Sequence, residues 1–500
     1  MVKVNSDRKI YETILTFFRD SGNLEEAKKQ AGSLLNLKTV PRTYSILLFA
    51  HKHDSEIAKQ IIKENKVHAM RSLSGIVSVT VLTKNYPCLY KCAYCPKEKS
   101  VPQSYLSSEP AVARAQLVEY DPYRQVNGRL DVLKTGGHET SKVELIILGG
   151  TFSLLPKKYR LHFLKCCFDA ANQQKSKTLK EAQKINEKSE RRIVGITIET
   201  RPDLINEKEI KFLRKIGVTR VELGAQNYFN FILNKNERRA TRQDLQLATK
   251  MLRNAGFKIT YHLMLNLPGS NPLFDFWSSA LFFLNSNFRP DHLKIYPMIV
   301  VRGSKVYQWF KQGKFKPYSN DTLIKLLAGI KNYIPSYVRV VRVIRDIPAG
   351  QVVAGSKNSN LRESVKKFMS DHRMKCQCIR CREIKSDVIR EPILKINKYC
   401  ASGGQEYFLS IVNKKTNQIA ALLRLWLIKN KQPIFKALKD VALVREIHTY
   451  GEVVGVDVKN EQSSQHRGFG SWLIAEAEKI AKQNGYKKIA VIAGVGVRGY

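Results

Sequence analysis

The sequence contains no apolar run of about 18 residues, the length a membrane-spanning helix needs, so no part of it reads as a membrane span. Its first thirty residues are charged and lack the apolar core of a secretory signal peptide. The expected compartment is therefore the cytoplasm, with no membrane partner. Internal repeats and low-complexity segments are also missing, which excludes solenoids and compositionally biased tails. Acid is scarce: Asp and Glu total 43 against 85 Lys and Arg, for a formal net charge of +42. A surplus of this size suits a polyanionic partner held through phosphate neutralisation, although a lysine-rich proteome would also supply it.

The 500 residues suffice for two to four domains with cores of their own. Residues 1–70 are basic and helix-like, with amphipathic stretches such as YETILTFFRD and EIAKQIIKENK. From Gly75 the texture changes, and six apolar, strand-like runs follow: GIVSVTVLT, VELIILGGTF, RIVGITIET, VTRVELGAQN, FKITYHLMLNL and HLKIYPMIVV. Helical patterns such as NEKEIKFLRKIG lie between most of them and close on a glycine suited to a helix C-cap. Apolar strands alternating with helices predict a parallel sheet covered by helices, here a partial (β/α)6 barrel over residues 71–364. Active sites of such folds collect at the C-terminal ends of the strands. Residues 365–395 read as a charged linker. Residues 396–500 read as a second α/β domain: a hairpin-like pair, the run ALVREIHTYGEVVGVDV, a glycine turn, an amphipathic helix and the strand KKIAVIAGV.

Nine cysteines is an odd number, and six of them fall in two tight clusters with the spacing of metal ligands rather than disulfides. Cys166 and Cys167 lie in an apolar helical pattern and read as core; Cys400 stands alone. The segment YPCLYKCAYCPKEK follows the first strand. Its Cys88, Cys92 and Cys95, at C-x3-C-x2-C, can hold three irons of a [4Fe–4S] cluster and leave the fourth for S-adenosylmethionine. A zinc knuckle would need a fourth ligand nearby. Tyr94 takes the aromatic position usual in this signature. Strand ends downstream carry LGGTF, with Gly149 and Gly150 expected to let backbone approach the cofactor. ETRPD supplies Glu199 and Arg201, and ELGAQN supplies Gln226.

The run QHRGFG, Gln465 to Gly470, fits Q/R-x-x-G-x-G/A, the pyrophosphate loop of GNAT acetyltransferases. Backbone N–H groups and a helix N-terminus would there meet the diphosphate of acetyl-CoA. Glu446 and His448 lie on the preceding strand; a lone strand histidine serves as a base or as structure. In KCQCIRCRE, Cys376, Cys378 and Cys381 supply three thiolates for structural zinc, with His372 a candidate fourth ligand.

These motifs, in this order, resemble the Elp3 family, which comprises the catalytic subunit of Elongator and its stand-alone archaeal and bacterial relatives. The matching stretches include CLYKCAYCP, VELIILGGTF, TIETRPD, LKIYPMIVVRGSKVY, CQCIRCRE, REIHTYGEV and QHRGFG, across roughly residues 70–500. The resemblance implies a radical-SAM barrel fused to a GNAT acetyltransferase domain, acting as a tRNA uridine(34) acetyltransferase. In that activity a 5′-deoxyadenosyl radical activates the methyl of acetyl-CoA, which adds to C5 of the wobble uridine; thioester hydrolysis leaves a carboxymethyl group. By the same resemblance Lys142 contacts acetyl-CoA from the radical-SAM side. Glu446, Ile447, His448 and Thr449 line acetyl-CoA, and Phe469, Gly470 and Ser471 join Gln465 and Gly468 in the pyrophosphate loop. Lys142, His448 and Tyr500 become the catalytic candidates. Implied partners are the tRNA anticodon stem-loop, bound in part by the basic N-terminal helices, an electron donor, and a homodimer or Elongator-type assembly.

The sequence departs from the family pattern in three places. MLNLPGS replaces M-P-G-L-P-G-S, and NERRAT stands where R-G-H-T is common. The family's second Tyr and last strand do not follow Tyr500, so the acetyltransferase domain reads as C-terminally incomplete. Two other readings use fewer features: a protein lysine acetyltransferase, which leaves the cysteine motif without a role, and a non-catalytic tRNA-binding protein.

Overall fold

The computed structural model describes residues 4–37, 39–64, 74–385, 389–428, 432–451 and 468–499. Four helices come first: α1 (Val4–Ser21), α2 (Leu24–Leu34), α3 (Thr43–His53) and α4 (Ser55–Glu64). Asn23 caps α2 by accepting from the Glu26 N–H, satisfying one of the donors that a helix start leaves orphaned. The apolar faces of these helices meet in a small core of their own, built on Ile14, Phe18, Leu24, Ile46 and Ile61.

Seven strands then form one parallel sheet in sequence order: β1 (Val77–Leu82), β2 (Lys142–Leu148), β3 (Arg192–Thr200), β4 (Arg220–Gln226), β5 (Lys258–Leu265), β6 (His292–Pro297) and β7 (Arg339–Arg342). This is the expected half-barrel, with β7 adding one short strand to the six visible as apolar runs. Val and Ile dominate these strands because both faces of the sheet are covered. In β1 the pattern is alternating, with Val77, Val79 and Val81 fully buried.

The second sheet has the order β12-β11-β10-β9-β8, from β8 (Pro392–Ala401), β9 (Gly404–Asn413), β10 (Ile419–Leu427), β11 (Ala442–Thr449) and β12 (Ile489–Val491). Its first four strands are antiparallel and β12 runs parallel to β11. The helix Phe469–Gln483 packs on β9, β10 and β11. One continuous apolar core runs from the barrel into this sheet. Where they meet, Ser74, just ahead of β1, bridges Gly451, just past β11. The second sheet is thus fastened to the end of the barrel opposite the cysteine loop. No described helix is long and apolar enough to cross a membrane.

Candidate active site

Cys88, Cys92 and Cys95 lie on the loop that leaves β1. Ala93 pins this loop: its N–H donates to the Asn236 carbonyl, and its own carbonyl accepts from the Val306 N–H. The Arg201 side chain, just past β3, lies over the Tyr90 ring at 3.4 Å from the centroid and reaches Cys92 Sγ at 3.8 Å. Asp203 holds that guanidinium through two hydrogen bonds of 3.0 and 2.9 Å. Arg238 approaches the same sulfur at 3.9 Å and donates to the Tyr94 hydroxyl at 3.2 Å. Burial pushes the Cys95 thiol up to about 12, and the neighbouring Cys92 adds to the shift. A thiolate there needs a cation directly on the sulfur, as iron would supply. Two guanidiniums around one sulfur also suit an anionic cluster, so the residues fit the group.

A cavity of about 910 Å³ runs from this loop through the barrel to β11. Its upper wall includes Gly149, Gly150, Glu199, Arg201 and Gln226. The two glycines also serve the chain itself. Both have positive φ, and a Cβ on Gly149 would sit 2.0 Å from Thr83 Oγ1, while one on Gly150 would sit 2.9 Å from the Gln103 carbonyl oxygen. Gln226 ends β4 with φ +63, and its Oε1 is buried with no hydrogen-bond partner among the described residues. An orphaned acceptor facing a cavity fits a polar ligand. Glu199 accepts from the Tyr105 hydroxyl at 2.6 Å.

The middle of the cavity carries groups that the sequence reading passed over. Glu222 on β4 accepts from His262 Nε2 on β5 at 2.8 Å and from Lys294 Nζ on β6. Burial alone would raise the Glu222 carboxyl, but Lys294, His262 and Arg220 outweigh it and hold the group well below the ordinary range. Glu199, Glu222 and His262 offer ligand atoms within 4.8 Å of one another. The signal was a His in KITYHLML and a Lys in HLKIYP, polar residues inside otherwise apolar strands.

At the far end Glu446 and His448 line the cavity from β11. Glu446 accepts from Arg424 Nε at 2.8 Å and pairs with Lys258 at 3.5 Å. His448 Nε2 donates to the Ser74 carbonyl at 2.6 Å, and burial lowers the imidazole pKa against the opposing pull of Glu446. That bond ties β11 to the barrel. Ile447 is exposed and comes within 3.9 Å of a Cβ placed on Gly470, so the strand and the start of the helix Phe469–Gln483 face each other. β12 pairs with β11 only over Ala442–Val444, and a bulge interrupts the β10–β11 ladder next to Arg445. Ile447 and Thr449 remain paired with Leu423 and Ala421 of β10, close to the start of that helix. Gly468 caps this helix at φ +78, with no side-chain cap bond; Phe469 is buried and Ser471 exposed. Gln465 and Tyr500 lie outside the described residues. Lys142 is the first residue of β2, at the barrel end that meets β11, and is not part of the cavity wall.

The sulfurs of Cys376, Cys378 and Cys381 lie within 4.8 Å of one another. Hydrogen bonds from Cys376 and Cys381 hold the Cys378 thiol well below its usual range, and Lys331 Nζ stands 3.7 Å from Cys381 Sγ. Three gathered thiols with one poised to ionise fit a zinc ion. His372 does not join them. Its ring stacks on Phe368, and its Nδ1 bonds to the Phe368 carbonyl at 2.8 Å.

The sequence matches the Radical SAM superfamily over residues 86–273 and the Radical_SAM C-terminal domain over residues 290–371. The "tRNA uridine(34) acetyltransferase" of Methanocaldococcus infernus is 41% identical over 478 residues, covering 92% of this chain and 88% of that protein. The chain belongs to the Elp3 family. Another protein of that name, from Dehalococcoides mccartyi, is 43% identical over 86% of this chain and 95% of its own length. Human "Elongator complex protein 3" is 35% identical over 96% and 90%. The solved structure of Methanocaldococcus infernus Elp3 lacking residues 1–46 superposes with a TM-score of 0.76 at 39% identity, covering 86% of this chain and 96% of that one. This Elp3 homologue is therefore a radical-SAM enzyme of the tRNA-modifying, acyl-transferring type, and its radical-SAM domain implies a [4Fe–4S] cluster and S-adenosylmethionine.

Proposed function

We propose that this Elp3 homologue adds an acetyl-derived carboxymethyl group to C5 of the wobble uridine of tRNA, using S-adenosylmethionine and acetyl-CoA. One observation carries the reading: the cysteine loop and the β11 residues Glu446 and His448 line a single cavity. A radical made at one end and an acyl thioester entering from the other can meet there without leaving the protein. The names of the relatives, tRNA uridine(34) acetyltransferase above all, point the same way.

When bound, the cluster and S-adenosylmethionine supply a carbon-centred radical able to take hydrogen from the acetyl methyl. The chain does the rest. Cys88, Cys92 and Cys95 hold three irons, while Arg201 and Arg238 balance thiolate charge. Gly149, Gly150, Glu199 and Gln226 border S-adenosylmethionine. Backbone N–H groups at Gly468–Ser471 receive the diphosphate of acetyl-CoA, joined by Gln465, and Glu446, Ile447, His448 and Thr449 line its acyl arm. Lys142, His448 and Tyr500 remain the candidates for handling the acyl group on the β11 side. Cys376, Cys378 and Cys381 hold zinc. The +42 net charge and α1–α4 serve the anticodon stem-loop; an electron donor and an Elongator-type or homodimeric assembly belong to the same reading. So does the division at residues 70, 364 and 395.

Anaerobically reconstituted protein, given a reductant, S-adenosylmethionine, acetyl-CoA and tRNA, should form 5′-deoxyadenosine and 5-carboxymethyluridine at position 34, and Cys88→Ala should form neither. Full modification by Cys88→Ala would favour a non-catalytic role for the motif. Acetylated peptide with unmodified tRNA would favour the lysine acetyltransferase.

A further inference from the structure

The acetyl methyl that meets the radical is bonded directly to the thioester carbonyl carbon. Water that cleaves the thioester must therefore be activated in the same chamber, away from the diphosphate at the helix N-terminus. Between the cysteine loop and β11, the cavity wall offers an imidazole hydrogen-bonded to a carboxylate: His262 and Glu222. The register places His262 beside Lys294 across β5 and β6, and Glu199 beside Glu222 across β3 and β4. Lys294 also bonds to Glu222, so the carboxylate stays ionised and fixed. Glu222 engages Nε2 of His262, and Nδ1 has no hydrogen-bond partner among the described residues. The Tyr296 ring stands edge-on to the imidazole at 5.5 Å and limits its rotation. A carboxylate on one ring nitrogen with the other nitrogen free is the arrangement of a general base.

We infer that His262 is the catalytic base that activates water for cleavage of the acyl thioester, with Glu222 as its positioning carboxylate. The inference rests on the carboxymethylation reading above. His262 Nδ1 takes a proton from water as the oxygen bonds to the carbonyl carbon. The carbon–sulfur bond breaks, and the imidazolium returns the proton to the departing thiolate of coenzyme A. Thioester and water become carboxylic acid and thiol, with no net oxidation or reduction. The groups facing the imidazole are Glu222 on β4, Lys294 and Tyr296 on β6, and Glu199 on β3.

His262→Gln keeps a polar side chain but no base. Single-turnover reactions, with tRNA digested to nucleosides and analysed by mass spectrometry, separate the two halves of the chemistry. The variant should make 5′-deoxyadenosine within about twofold of the unaltered protein, lose carboxymethyluridine by about 100-fold, and accumulate uridine still joined to coenzyme A through the thioester. Glu222→Gln should accumulate the same conjugate with a smaller loss. Carboxymethyluridine at the normal rate from His262→Gln would overturn the inference. So would joint loss of deoxyadenosine and modified nucleoside by a variant with an unchanged melting temperature. If that variant fails to fold, carboxymethyluridine at the normal rate from Glu222→Gln, with no conjugate accumulating, overturns it. Absence of deoxyadenosine from the unaltered protein would overturn the functional reading itself, a distinct result.

Discussion

Replacing Glu406 by Gln removes one carboxylate from a closed set of charges between the barrel and the second sheet. Arg445 on β11 bonds to Glu406 on β9 at 2.6 and 2.8 Å and to Asp291, just ahead of β6, at 3.1 and 2.5 Å. Arg253 reaches Glu406 at 2.7 Å from the barrel side, and Arg424 on β10 pairs with Glu446 at 2.8 Å. The side chains of Arg253, Asp291, Glu406, Arg424 and Arg445 are all 0% exposed. Three guanidiniums face three carboxylates, and Glu406→Gln leaves Arg253 and Arg445 sharing a deficit that water cannot reach. Breaking a buried pair on one side costs about 3–5 kcal/mol, a large part of the roughly 5–15 kcal/mol that typically holds a domain folded. Arg445→Met should cost as much, whereas the double variant, with balanced charge restored, should cost clearly less than the sum. Denaturant unfolding of all four proteins gives the cycle. Additive losses, or a loss below about 1 kcal/mol for either single variant, would refute the argument that charge balance holds this junction.

The same cluster sets a pH dependence. Burial favours the protonated forms of Asp291 and Glu446, but the cations around them prevail and hold both carboxyls below their ordinary range. Their contribution is present above about pH 4, where unfolded carboxylates ionise, and is lost as pH falls further, so near-UV circular dichroism should collapse on that side. Gly149→Ala should lower the melting temperature and S-adenosylmethionine affinity together, because its Cβ would meet Thr83 Oγ1 at 2.0 Å. Gly468→Ala, with φ +78 and open space, should cost only the left-handed backbone penalty of about 1–2 kcal/mol. Elemental analysis should find one zinc per chain that Cys378→Ser removes without changing bound iron, since the two cysteine sets occupy separate loops.

Sequence spacing alone marked out both cysteine clusters and most of the fold. C-x3-C-x2-C and C-x-C-x2-C lie within short segments, where the chain itself keeps the ligands close. The six apolar runs, alternating with helical patterns, declared a parallel sheet covered by helices, because such strands bury most of their side chains. The short β7, RVVR, gave too little pattern to read. Tertiary structure decided the rest. Register between strands, not spacing along them, set His262 beside Glu222 and Lys294, 40 and 72 residues from that carboxylate. His372 lies near the cysteines in sequence, yet stacking on Phe368 takes it elsewhere. The fastening of β11 to Ser74 put that strand at one end of a cavity whose other end is the cysteine loop. No local pattern encodes that meeting, because it depends on buried charges from both sheets neutralising one another.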